Sequence, residues 1–393
     1  MNPHILSPQV QQYLRAHMSE AAAQVALQRS PFPEISSSEL AQQVDARQRC
    51  RKKLPQWYET EGIYYPQRTS VEQASSELTA AYKASLVSEG LSMIDLTGGM
   101  GVDSLFFAKK AESLVYCEKE EGLAQIVRHN ASVLGAKNIS FCVADGMTYL
   151  RSQPADTFDY VYVDPSRRVG QRRVFRLEDC EPDIVSAQGW LLQMAKTNMI
   201  KCAPLLDISA ALQVLDHVSE IHVISVDNEC KELVFVRTRD YTDSPRMVIA
   251  TLHGENVNVL AFSADIEKEA IAEFGNPEGY LYEPDAALLK SGAFRFISQH
   301  YRIRKLHPHT HLYTSSNAID GFLGKTYRIS QVIPYGEFKK NKGPLYAMIS
   351  ARNFPLTVDA LRQRHRIREG NDQHLFFCTG NDGRLLVIFA SKC

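Results

Sequence analysis

No stretch of this 393-residue sequence approaches the roughly 18 consecutive apolar residues of a membrane-spanning helix, so neither a transmembrane segment nor a membrane partner is expected. The first residues lack a charged start followed by an apolar run, so no secretory leader is expected and the cytoplasm is the expected location. No Cys-x-x-Cys pair occurs. The eight cysteines (Cys50, Cys117, Cys142, Cys180, Cys202, Cys230, Cys378, Cys393) are scattered, as small apolar residues of a reducing compartment are, and structural zinc is not expected. Net charge is nearly absent too, at −1, but the balance hides an asymmetry. From Ala287 onward 17 Lys+Arg stand against 6 Asp+Glu, a net +11; the remainder, 27 against 39, carries −12. A basic C-terminal third points to a polyanion such as a nucleic acid, a well-solvated basic domain being the plainer alternative. The length, with 44% hydrophobic residues, allows two to four units.

The chain is organised around Met93 to Asp103, which reads Met-Ile-Asp-Leu-Thr-Gly-Gly-Met-Gly-Val-Asp. An apolar run at 91–94 ends in Asp95, then come Thr97, Gly98, Gly99 and Gly101, and apolar residues resume at Val102, Leu105 and Phe106. This is a strand, a tight turn and a helix. Glycines there permit positive φ and let a ligand approach main-chain N–H groups at a helix N-terminus. A dinucleotide fingerprint would need a third glycine where Ser104 stands, so a pyrophosphate is disfavoured. An acid at the strand end would also repel phosphate while accepting from an amine-bearing ligand. Asp-Leu-Thr-Gly-Gly-Met-Gly resembles the first motif of class I S-adenosylmethionine-dependent methyltransferases, whose acid lies close to the amino-acid end of the cofactor. The resemblance implies that cofactor, held by Asp95, Thr97, Gly98, Gly99, Gly101 and Asp103.

Later landmarks follow in order. A second strand over 113–118 ends in Glu118, placed to accept the two hydroxyls of a nucleoside ribose, and a third over 139–145 ends in Asp145. In the resembled family a polar side chain there reads the adenine amino group. A fourth strand over 158–163 runs into Asp164-Pro165-Ser166-Arg167. Relatives methylating base amino groups carry Asp/Asn-Pro-Pro-aromatic at this place, and those methylating a uridine carbon carry Asp-Pro-Pro-Arg. Asp164 and Pro165 match, Ser166 replaces the second proline and Arg167 the aromatic. These three, Asp164, Pro165 and Arg167, are the expected catalytic residues, and the methylated atom stays open. Arg167, Arg168, Arg172, Arg173 and Arg176 then crowd a loop that reads as a phosphate clamp, or as an ion-pair loop neutralised by Glu178, Asp179, Glu181 and Asp183.

Upstream, 1–69 reads as a helical region, with helices over 5–28 and 38–53. Basic residues 47–53 precede Trp57, Tyr58, Tyr64 and Tyr65, which suits either base stacking or a packed cap. A helix over 70–86 is expected to bring Gln73, Ser76 and Lys83 to one face, with Gln73 touching the cofactor. Downstream come a helix over 188–197, a strand over 198–202 and a hairpin of 221–226 with 232–237 around Asp227-Asn228. Together they resemble the α/β, seven-stranded class I methyltransferase sheet, order 3-2-1-4-5-7-6, over 70–240.

A small α+β module is expected over 241–321. The last segment, 322–393, carries Ile-Ser-Ala-Arg-Asn-Phe-Pro-Leu and a basic helix over 361–368, and is similar to the THUMP-like modules of some RNA-modifying enzymes. His307, His309 and His311 alternate, but without cysteine or carboxylate nearby no metal is expected. The whole resembles a bacterial class I methyltransferase with a THUMP-like C-terminal domain. That implies methylation of RNA (tRNA or rRNA) gripped by loop 167–176 and the C-terminal domain. The alternatives are a methyltransferase for a small molecule or protein, and a non-catalytic RNA-binding protein of the same fold. Oligomeric state is not readable.

Overall fold

The computed structural model describes residues 1–393 except 167, 170, 171, 174, 175, 341, 342, 344 and 371, with the backbone alone at 168, 169, 172 and 173. The chain divides into two compact units, Met1–Ser219 with Leu233–Asp243, and Glu220–Glu232 with Ser244–Cys393.

The first unit begins with helices. The one expected over 5–28 is two, Pro8–Ala16 and Ala22–Leu27, because Tyr13 O takes both the backbone N–H and the ring of His17 and closes the first there. Ser37–Lys53 starts at a capping box, Ser36 accepting from Glu39 N–H while the Glu39 carboxylate accepts from Ser36 N–H. Val10, Leu14, Val25, Leu40 and Val44 form a core with Tyr64 and with Ile126 of a later helix. Of the aromatics that follow, Trp57, Tyr64 and Tyr65 face inward and Tyr58 is half-buried. Trp57 is 1% exposed and stacks near Phe106, Tyr64 and Tyr65 are buried, and Arg47 donates to Tyr58 O. They are the packed cap.

Six strands form this unit's sheet: β1 (Ser92–Asp95), β2 (Ser113–Glu118), β3 (Ile139–Val143), β4 (Phe158–Val163), β5 (Ala195–Cys202) and β6 (Glu229–Thr238). The order is β3-β2-β1-β4-β5-β6, parallel except for the antiparallel β5–β6 pair. Val218–Val226, the seventh strand expected here, forms as a strand and also runs parallel to Arg246–His253; its residues from Glu220 on group with the second unit. Residues 188–197 were expected as one helix, yet the helix is Ile184–Met194 and β5 starts directly after it, since Asp183 caps an earlier start.

The second unit holds a seven-stranded sheet in the order Arg304–His307, Thr310–Ser315, Tyr280–Pro284, Gly324–Pro334, Leu385–Lys392, His374–Thr379, Met348–Arg352. Leu281, Leu306, Leu312, Tyr327, Phe376 and Ile388 share one core. The division expected between 321 and 322 therefore runs between paired strands, Tyr280–Pro284 lying antiparallel to Gly324–Pro334. The basic helix expected over 361–368 is Val358–His365. Thr357 caps its start, Arg366 turns left-handed at φ 53°, and Ile367–Arg368 continues as a short strand beside Leu345–Tyr346. No described helix is long and apolar enough to cross a membrane.

Candidate functional site

The turn after β1 is shaped by close approach. Gly98 N–H donates to Cys117 O at 2.8 Å, and a β-carbon on Gly98 would overlap the Tyr116 ring. Gly101, at φ 74°, leads into the helix Val102–Phe107, and a β-carbon there would strike Val127. Above Gly99 the space is open, a β-carbon meeting nothing nearer than Thr97 O at 3.7 Å.

Asp95 serves this turn. It is 1% exposed, accepting from Thr97 N–H at 3.0 Å and from the Ser104 hydroxyl at 2.5 Å. Burial pushes its carboxyl up to about 7, Asp103 and Asp164 adding to the rise, while those two hydrogen bonds oppose it. Ser104, the residue that broke the dinucleotide fingerprint, is thus the partner of the buried acid.

Asp103 is tied inward. Its Oδ2 accepts from Tyr162 at 2.7 Å and Ser75 at 2.8 Å, and its Oδ1 lies 3.0 Å from the ammonium of Lys83, a side chain with no exposure. Burial would raise its pKa, but Lys83, Lys201 and Tyr162 outweigh burial and hold it below the usual value.

The helix expected over 70–86 is broken into Arg68–Gln73 and Glu77–Ser85, because the Ser76 hydroxyl accepts from Thr79 N–H and starts a new helix. Gln73, exposed at the end of the first piece, therefore does not share a face with Lys83, and nothing described links it to the turn.

Glu118 ends β2 and Asp145 lies two residues past β3, capping the next helix, and both carboxylates are held by backbone. Gly99 N–H and Glu120 N–H donate to the two Glu118 oxygens at 2.9 and 2.8 Å. Thr148 N–H donates to Asp145 Oδ1 at 2.7 Å, and Lys119 bridges Asp145 Oδ2 and Glu181 at 3.0 and 3.1 Å. For Asp145, burial raises the pKa, but Lys119 and Thr148 hold it below the usual range. Each carboxylate oxygen keeps a further lone pair for a hydroxyl or amine donor. Counted with Asp95, Asp103 and Asp164, five acids face Lys83, Lys119 and Lys201, so with all ionised the net is −2. Open space over Gly99, two oriented carboxylates and net negative charge fit a positively charged nucleoside cofactor.

Asp164 is fixed to the same turn, its N–H donating to Thr97 Oγ1 at 2.7 Å. Its carboxylate is ion-paired with Lys201 of β5, a residue the sequence reading missed. The available signal was a lysine directly after the apolar pair Met199-Ile200, near the C-terminal end of the strand Ala195–Cys202. Pro165 lines a small apolar cavity with Leu177, Cys180, Cys202, Leu205 and Leu206. Arg167 lies outside the described residues, as do the side chains of Arg168, Arg172 and Arg173. Arg176 is exposed, and of the loop's acids Glu181 pairs with Lys119. The three histidines do not converge. His311 stacks on Phe294 at 3.7 Å, while the His307 and His309 rings lie 5.6 Å apart.

Residues 280–322 match a ferredoxin-like domain family and residues 324–392 a THUMP domain-like family. A crystal structure from Porphyromonas gingivalis W83, designated a candidate methyltransferase, is 32% identical with a TM-score of 0.88, over 99% of this chain and 98% of that one. A Mycobacterium tuberculosis H37Rv protein named as an uncharacterized S-adenosylmethionine-dependent methyltransferase is 24% identical over 338 residues, 82% of this chain and 87% of its own. A stretch of 76 residues, 19% of this chain and 17% of the other, is 38% identical to the 23S rRNA (uracil(1939)-C(5))-methyltransferase of Marinomonas posidonica. The chain is an enzyme whose cofactor is S-adenosylmethionine, and it belongs to the bacterial class I S-adenosylmethionine-dependent methyltransferases that carry a C-terminal THUMP-like domain.

Proposed function

We propose that this methyltransferase acts on RNA, at a base of a tRNA or rRNA. The observation that carries the reading is the coincidence of the THUMP-like segment with the basic part of the chain. Over 324–392 there are 12 Lys+Arg against 5 Asp+Glu, a net +7, in an otherwise acidic sequence. The 76-residue similarity to an rRNA methyltransferase supports the same substrate class.

In this reading Glu118 accepts the ribose hydroxyls, Asp145 faces the adenine, and Thr97, Gly98, Gly99 and Gly101 line the cofactor's path. Asp95 and Asp103 act from beneath, fixing the turn and the helix that follows it. S-adenosylmethionine supplies an electrophilic methyl group when bound. Asp164 accepts a hydrogen bond from the acceptor base, orienting its lone pair and balancing the charge that develops, while Pro165 stiffens the strand end. Arg167 and loop 167–176 contribute phosphate contacts.

The test compares modified nucleosides by mass spectrometry in tRNA and rRNA from cells with and without the gene. The purified protein is then supplied with labelled cofactor and each RNA. One nucleoside should be missing without the gene and restored in vitro only on RNA lacking it. Identical nucleoside profiles, with label passing instead to protein or small molecules, would overturn the RNA assignment.

A further inference from the structure

The ribbon of Leu345–Tyr346 and Ile367–Arg368 presents an unusual outward face. Its two short strands are parallel, with Leu345 opposite Ile367 and Tyr346 opposite Arg368. Alternation turns Ala347 and Ile367 into the core formed with Leu361, Leu375 and Phe377. The intervening residues therefore point outward. Tyr346 is 57% exposed, Met348 is 44% exposed, and Arg366 and Arg368 are exposed. Arg368 leans on the tyrosine, its guanidinium carbon 6.0 Å from the ring centroid and Nη1 donating to the phenol oxygen at 3.3 Å. This steadies the ring while leaving it open to solvent. Among the described residues neither Arg366 nor Arg368 has a carboxylate partner, whereas Arg352, Arg304 and Arg384 of the same unit each do.

We propose that this face is a stacking platform for single-stranded RNA, Tyr346 carrying a base with Met348 beside it and Arg366 and Arg368 taking the flanking phosphates. The inference rests on the RNA reading above and deepens it by naming the strand state and the residues. An exposed aromatic beside unpaired guanidiniums offers what an unpaired nucleotide needs and a duplex does not, since stacking requires a free base face. Charge complementarity selects the occupant: a patch of two unpaired arginines on a segment of net +7 favours a polyanion over an apolar protein surface.

The experiment uses the full-length protein saturated with S-adenosylhomocysteine and a fluorescein-labelled single-stranded RNA of about 12 nucleotides, read by anisotropy at several salt concentrations. Tyr346→Ala should weaken binding about 10-fold or more and Tyr346→Phe by less than about 2-fold, because the π-face is what matters. Arg366→Gln and Arg368→Gln should each weaken binding and lower the salt slope by about one. An RNA duplex of equal length should compete poorly, and S-adenosylhomocysteine affinity should be the same in every variant. Tyr346→Ala binding like the wild type would overturn the platform and leave the RNA reading standing. A wild type that binds no RNA would overturn both, and equal competition by the duplex would overturn the single-strand assignment.

Discussion

Lys201 at the end of β5 is ion-paired with Asp164 at the end of β4, and Asp164 is bound in turn through its N–H to Thr97 of the glycine turn. The lysine is largely buried and the acid about one third exposed, so one carboxylate edge is held and the other can meet a substrate. Asp164→Ala should leave S-adenosylmethionine affinity within a few-fold while methyl transfer falls by about 10² or more. Lys201→Met should lower turnover at saturating RNA more than it raises the apparent Michaelis constant, and Lys201→Arg should restore part of it. Loss of cofactor affinity with preserved turnover in either alanine or methionine variant would make the pair a cofactor ligand.

Cofactor binding provides a second check. Glu118→Ala removes an acceptor held by two backbone N–H groups and should weaken S-adenosylmethionine binding by about 1–3 kcal/mol in calorimetry. Gln73→Ala, at an exposed helix end, should change it by less than about 0.5 kcal/mol. Unchanged affinity in Glu118→Ala would remove the ribose assignment.

Asp95 predicts a pH dependence of stability. Its carboxyl is raised to about 7 in the folded protein, against about 3.9 for an unfolded aspartate. A raised carboxyl contributes stability that is fully present below the unfolded value and lost as pH climbs through the folded one. Between about pH 4 and 7 the wild type should therefore lose on the order of 2–4 kcal/mol relative to Asp95→Asn, whose side chain does not titrate. Chemical unfolding of both proteins at pH 5 and pH 8 measures this. A difference independent of pH would show that Asp95 is ionised throughout.

The Lys83–Asp103 pair anchors the helix before β1 to the helix after it. Lys83→Met leaves a buried acid without its cation and should cost about 3–5 kcal/mol; adding Asp103→Asn should recover a large part of that. Thermal unfolding of the single and double variants decides it. Additive losses would mean that the two side chains act independently.

The strand–glycine turn–helix at 92–107 and the acids closing β1, β2 and β3 were legible in the sequence, because each signal is local. An apolar run of strand length, glycines where φ turns positive and an acid at the boundary lie within a few residues of one another. Locality also explains the helix misread over 70–86. Helical spacing continued through Ala74 and Ser75, but one serine hydroxyl at Ser76 satisfied Thr79 N–H and restarted the helix, moving Gln73 off the face that Lys83 occupies.

What only the tertiary structure decided is which charges meet. Lys83 with Asp103, Lys201 with Asp164 and Lys119 with Asp145 are separated by 20, 37 and 26 residues, and no periodicity relates them. The same holds for the aromatics after the basic cluster at 47–53, whose composition fits a nucleic-acid surface as well as a cap; the fold buries Trp57, Tyr64 and Tyr65. Composition fixed the sign of the C-terminal third and the turn fixed the class of cofactor. Folding chose the partners, because a charge taken out of water needs an opposite charge or hydrogen-bonding groups beside it, and these are supplied by another strand or helix.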